Sequence, residues 1–240
     1  MLEGKSLAEA IAMFNLHWAA HKNQPVWYSL GDFYYDAIDL PESELRAIRK
    51  INEMDERILE AGWLSVKAKG ELMIAAYEKE IMPLFKRVIS VQNEVKLTND
   101  SGQSLIGFAD IIVETHQWGN VLFDNKTTSV RYSENSVGES AQLATYYALL
   151  KDKYDLNKAG FITIDKAIRK KDPKVNIKVL VGDISPELIQ NTFDSYDVVL
   201  SKILDGNFER DYTGCTTKFG PCDYYNFCHN QDSTGLKEEL

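Results

Sequence analysis

The spacing of apolar residues changes from a helical to a strand period near Pro83, and that switch constrains the fold more than any other feature of the sequence. Upstream, Leu7, Ile11, Phe14 and Trp18 fall on one helix face, opened by the capping-box spacing Ser6-Leu7-Ala8-Glu9. Pro41-Glu42-Ser43-Glu44 starts a second helix, with proline and acids in its first turn and Gly62 as its expected stop. A third helix runs from about residue 66 to Pro83, which cannot continue it. The cluster Trp27, Tyr28, Phe33, Tyr34 and Tyr35 reads as a packed connection between the first two helices.

Downstream, residues 88–91 and 95–97 read as one strand, and Asn99-Asp100-Ser101-Gly102 as the turn that ends it. Residues 105–113 form the next strand, and a Gly119-Asn120 turn leads into Val121-Leu122-Phe123, so three consecutive strands can form a meander. A helix is expected from about Glu139 to Leu150. Residues 161–164 and 175–179 then flank a turn as a further hairpin. Ser185-Pro186-Glu187 opens the last long helix, whose stripe of Ile189, Phe193, Tyr196, Val199 or Leu200, and Ile203 is expected to be buried. The predicted architecture is α/β: a helical region over 1–83, a mixed sheet core flanked by helices over 84–206, and a Cys-bearing tail over 207–240.

With 44% hydrophobic and 26% charged residues, the 240-residue chain has ordinary globular composition, which excludes a disordered or fibrous protein. No apolar run approaches the ~20 residues of a membrane span. The N-terminus also lacks the basic and apolar segments of a secretion signal. A soluble cytoplasmic protein with no membrane partner is expected. The net charge of -9 argues against a protein that coats nucleic acid non-specifically. Local charge points the other way: Lys166, Arg169, Lys170, Lys171, Lys174 and Lys178 face only Asp172 between positions 166 and 178. A basic hairpin of this kind, with Arg131 after the third strand, suits contacts to a phosphate backbone.

Asp110 interrupts an apolar strand in Ile106-Gly107-Phe108-Ala109-Asp110, and Asp124 ends the next in Val121-Leu122-Phe123-Asp124-Asn125-Lys126. Lys126 lies two residues beyond Asp124, so the strand period turns both side chains to one face. If the strands pair as a hairpin, the two carboxylates meet, and such a pair is stable at neutral pH only with a shared proton or a cation. A hard cation such as Mg²⁺ suits these oxygens and activates water, while a nearby ammonium offsets charge that develops on phosphorus. Two acids and a lysine around a cation are what phosphodiester hydrolysis requires. Taken singly, each of these residues also reads as an ordinary strand end.

In order and spacing, Gly107-Phe108-Ala109-Asp110, Asp124-Asn125-Lys126-Thr127-Thr128 and Gln142-Leu143-Ala144-Thr145-Tyr146 resemble the RecB-like branch of the PD-(D/E)XK nuclease superfamily. Phe14 to Trp18 and Gly70-Glu71-Leu72-Met73 with Tyr77 resemble the helical segments of its longer members. The tail cysteines Cys215, Cys222 and Cys228 resemble those of its iron-sulfur nucleases. The resemblance implies a restriction-endonuclease-like fold with Asp110 and Asp124 holding Mg²⁺ or Mn²⁺ and Lys126 as the catalytic lysine. Gln142 and Tyr146 would contact the nucleic-acid strand, with Arg131, Lys170 and Lys171 as further substrate contacts. The implied activity is a DNA exonuclease of recombination, repair or phage DNA metabolism, acting on single strands or duplex ends, with a protein partner or a second copy as a further expected contact.

The sequence departs from that pattern in two respects. Nothing upstream of Cys215 is a cysteine, so a [4Fe-4S] cluster needs a fourth thiol from elsewhere, and the branch's Gly-x-x-x-His segment is missing. His17 and His21 read as polar positions on an amphipathic helix, and Glu94 on the first strand is a substitute candidate for the third metal ligand. Two other readings stay open on the sequence. One is a nuclease-like subunit without activity; the other is a cluster-binding regulator built on the cysteine tail.

Overall fold

The computed structural model describes residues 6–20, 56–128, 131–165, 174–207, 215–217, 220–221 and 225–230. The expected helix start at Pro41, the aromatic cluster of residues 27–35, His21, Lys170, Lys171 and Cys222 lie outside them. The chain divides into two compact units, residues 1–192 and 193–240.

In the first unit, α1 (Leu7–Ala20) carries the expected capping box: Glu9 N–H donates to Ser6 Oγ, and Ser6 N–H donates to Glu9 Oε2 at 2.7 Å. The next described helix, α2 (Glu56–Glu80), runs without a break through Gly62, which corrects the expected stop there. A single interior glycine costs only about 1 kcal/mol, and 25 residues of helix outweigh it. A short 3₁₀ turn at Met82–Leu84 contains Pro83 and hands the chain to the sheet.

Five strands form one sheet in the order β1 (Phe85–Thr98), β2 (Ser104–Thr115), β3 (Gly119–Thr128), β4 (Lys158–Asp165) and β5 (Ile177–Gly182). The first three form the expected antiparallel meander. β3 and β4 are parallel, which requires a crossover, and α3 (Ala141–Tyr154) supplies it; β4 and β5 close the sheet as an antiparallel pair. Ser140 caps α3 by accepting from Leu143 N–H, so the helix starts two residues after the expected Glu139 and runs past Leu150 to Tyr154.

Each sheet face has its own core. One face buries Ile112, Leu122, Ala159 and Phe161 under Leu143, Ala144, Tyr147 and Leu150 of α3. The other buries Ile111, Val113, Val121, Phe123 and Ile162 against Tyr77 and Ile81 at the end of α2. This is the restriction-endonuclease-like layering of helices about a mixed sheet. At Gly160 the two central strands and β5 come close: a Cβ there would run into the Leu180 carbonyl oxygen and lie 2.9 Å from the Phe123 ring. Gly160→Ala is therefore expected to cost about 2 kcal/mol and lower Tm by roughly 4–8 °C in a melting curve; an unchanged Tm would show that the strands can spread.

The last long helix, α4 (Pro186–Leu204), packs Leu188 and Ile189 on the α3-side core. Of the expected stripe, Phe193, Tyr196 and Leu200 are half-buried, whereas Val199, the alternative to Leu200, and Ile203 are each more than half exposed. Helical spacing shows which residues share a face, but another element must still cover that face. Beyond it, the second unit holds two two-residue strands, β6 (Thr216–Thr217) and β7 (Gly220–Pro221), and a short α5 (Tyr225–Asn230) with the Tyr225 and His229 rings stacked.

Candidate active site

The site begins with an irregularity in the sheet. Ala109 belongs to the core on the α3 side and Ile111 to the core on the α2 side, although a regular strand puts residues two apart on one face. β1 changes sides at the same level: Val91 packs with the α2-side core, whereas Asn93 donates its Nδ2 to Tyr154 Oη of α3 at 2.6 Å. Between them Gln92 has φ 49°, a left-handed conformation that a side chain adopts at a cost of about 1 kcal/mol. The flanking pairs Val91↔Ile111 and Asn93↔Ala109 put Gln92 in register opposite Asp110. Asp110 thus stands where two paired strands turn over together.

That turn frees the Asp110 carboxylate from either core. Its Oδ2 accepts the Asn125 backbone N–H at 2.8 Å, and its Oδ1 accepts Gln92 Nε2 at 3.3 Å. The β2–β3 ladder ends at Ile111↔Phe123, and one step further along it Asp110 stands across from Asp124. The two strands part there, and both acids sit in the fork.

Asp124 is 3% exposed and points to the α3 side, as does its β4 neighbour Phe161. Lys126 Nζ lies 2.8 Å from Asp124 Oδ2, a close charge contact that leaves this buried oxygen without an aligned hydrogen bond. The ammonium also donates to Gln142 Oε1 at 2.9 Å, from the first turn of α3. One turn later on the same helix face, the Tyr146 ring lies on Gly107, where a Cβ would meet its Cε1 at 2.8 Å. Burial is the largest influence on Asp124 and raises its pKa; the Lys126 ammonium opposes that shift and the Asp110 carboxylate adds to it.

Asp110, Asp124, Lys126 and Gln142 therefore lie together at the fork, and Tyr146 lies on Gly107 one turn further along α3. Arg131 is exposed just beyond β3, and Lys170 and Lys171 lie outside the described residues. Glu94 is not drawn into the fork: it is exposed and pairs with Phe108. Among the described residues no three His, Cys, Asp or Glu side chains gather as a metal-binding group, and this holds for Cys215 and Cys228 as well as for the acids. No described helix is long and apolar enough to cross a membrane.

Two contributors escaped the sequence reading. Gln92 carried no signal, being one glutamine within a long strand. Tyr77 was legible only as part of a helical segment; its phenol is buried without a hydrogen-bond partner among the described residues, and burial and the Asp110 charge push its pKa above the ordinary value.

The donor set suits a hard divalent cation. The Asp110 charge opposes ionisation of Asp124, one Asp124 oxygen is buried without an aligned donor, and both side chains offer oxygen ligands. A mixed sheet with paired acids and a lysine at a strand fork is the architecture of a nuclease class. The chain matches the PD-(D/E)XK nuclease superfamily over residues 15–229 and belongs to that superfamily. Among solved structures it is similar to a protein from Eubacterium rectale named "Putative exonuclease", at 13% identity over 98% of this chain and 77% of that one, with a TM-score of 0.44. A second, SSO0001, is 12% identical over 80% of this chain and 86% of that one, with a TM-score of 0.35. No curated protein matches the sequence.

Proposed function

We propose that this protein is a nuclease of RecB-like type that hydrolyses DNA phosphodiesters with Mg²⁺ or Mn²⁺, acting as an exonuclease in recombination, repair or phage DNA metabolism. The observation that carries the reading is the meeting of Asp110, Asp124 and Lys126 at one strand fork. Asp110 and Asp124 would hold the cation, which when bound polarises the phosphate and makes water more acidic. Gln92 and the Asn125 N–H fix the Asp110 carboxylate, so its oxygens need not reorganise during the reaction.

Lys126 is anchored at both ends of its reach, by Asp124 and by Gln142, which aims its ammonium at the space above the fork. There it can offset negative charge growing on the phosphate oxygens and exchange a proton with the attacking water. Tyr146 and Gln142 present one helix face to the passing strand. Arg131, Lys170 and Lys171 would contact backbone phosphates, which positions a strand without reading its sequence.

Incubating linear DNA with the purified protein tests the reading. Degradation with Mg²⁺ or Mn²⁺ that stops on chelation is expected, along with far slower loss of a covalently closed circle. No degradation of any DNA under these conditions would overturn it.

A further inference from the structure

Next to the fork lies a cavity of about 370 Å³, lined by Thr128, Arg131, Tyr132, Thr163, Asp165 and Lys178. We propose that it is the subsite for the nucleotide adjoining the scissile phosphate, with Arg131 and Lys178 holding that nucleotide's own phosphate. The proposal rests on the nuclease reading and deepens it.

Strand register ties the cavity to the site. Lys126 pairs with Thr163, and Thr128 pairs with Asp165, along the parallel strands β3 and β4. Phe161 belongs to the α3-side core while Ile162 and Ile164 belong to the other, so Thr163 and Asp165 share the face of Asp124 and Lys126. Thr163 pairs in turn with Lys178 on β5. One two-residue step, ~7 Å, leads from the catalytic lysine to the cavity wall, a distance one nucleotide can bridge.

The lining also selects the ligand. Its volume falls in the range of small-molecule sites. Neither Arg131 nor Lys178 forms an ion pair with another described residue, so both can turn to a phosphate. The Thr163 hydroxyl and the Tyr132 ring add what a sugar and a base need, namely a hydrogen-bond partner and an aromatic wall. The Asp165 charge in the wall disfavours a bare anion. The set therefore fits a nucleoside monophosphate better than inorganic phosphate.

Equilibrium binding of deoxyadenosine 5′-monophosphate to the full chain, with chelator present, tests this apart from catalysis. Saturable binding is expected, at least about tenfold tighter than deoxyadenosine or inorganic phosphate. Arg131→Ala and Lys178→Ala should each weaken it by about tenfold or more, the scale of one charge-assisted hydrogen bond. Lys178 is exposed on β5, so an unchanged Tm is expected to confirm its variant as folded. Equal affinity for deoxyadenosine, or monophosphate binding that both variants retain in full, overturns the subsite. An active nuclease with that outcome keeps the nuclease reading and loses the subsite. Phosphate-dependent nucleotide binding by a chain that degrades no DNA keeps the pocket and loses the nuclease.

Discussion

Lys126→Ala is expected to slow DNA hydrolysis at least about a hundredfold, the scale of one electrostatic or acid–base group removed from a reacting centre. The same change should also cost stability. Asp124 is 3% exposed, and Lys126 is its charge partner at 2.8 Å, so alanine leaves a buried carboxylate alone. A loss of ~2 kcal/mol, about 4–8 °C in Tm, is expected without divalent cations. Rates measured well below the lowered Tm separate the two effects. Wild-type hydrolysis by a folded Lys126→Ala variant would remove Lys126 from the chemistry.

Asp124→Asn should abolish hydrolysis, with a loss of a thousandfold or more, and yet make the metal-free fold more stable. Burial raises the Asp124 pKa above its unfolded value. Its stabilising contribution is then complete below the unfolded pKa and is lost as pH rises through the folded one. Once ionised, the side chain works against folding, and the neighbouring Asp110 charge adds to that cost. An amide of the same shape removes both penalties. A gain on the order of 1 kcal/mol, a few degrees in Tm, is the expected reading in chelator. The gain should shrink as pH falls and the wild-type carboxyl takes up its proton. A variant that loses Tm at neutral pH would mean that the Lys126 contact outweighs burial at this position.

Much of this was legible in the sequence because it is local. The Ser6 cap, the three-strand meander and the two-residue step from Asp124 to Lys126 each depend on a few neighbouring residues and a fixed period. Gln142 and Tyr146 were singled out by the family resemblance, and their four-residue spacing puts them on one face of α3. The turning-over at Gln92 was not legible, because nothing in a strand sequence marks a non-glycine residue that will take a positive φ. Its consequence, a carboxylate directed along the sheet to Asn125, depends on three strands at once. The exposure of Ile203 escaped for a related reason: periodicity describes a helix and says nothing of what covers it. Glu94 is the one acid on β1, and only the register, which gives it Phe108 as partner, separates it from the fork.

The most direct measurement is a titration of Mn²⁺ into DNA-free protein, followed by calorimetry or by water-proton relaxation. Wild type should show one saturable site, weakened at least about tenfold by Asp110→Asn and by Asp124→Asn, and retained in Lys126→Ala. Undiminished Mn²⁺ binding by both asparagine variants would mean that no cation is held between these two acids.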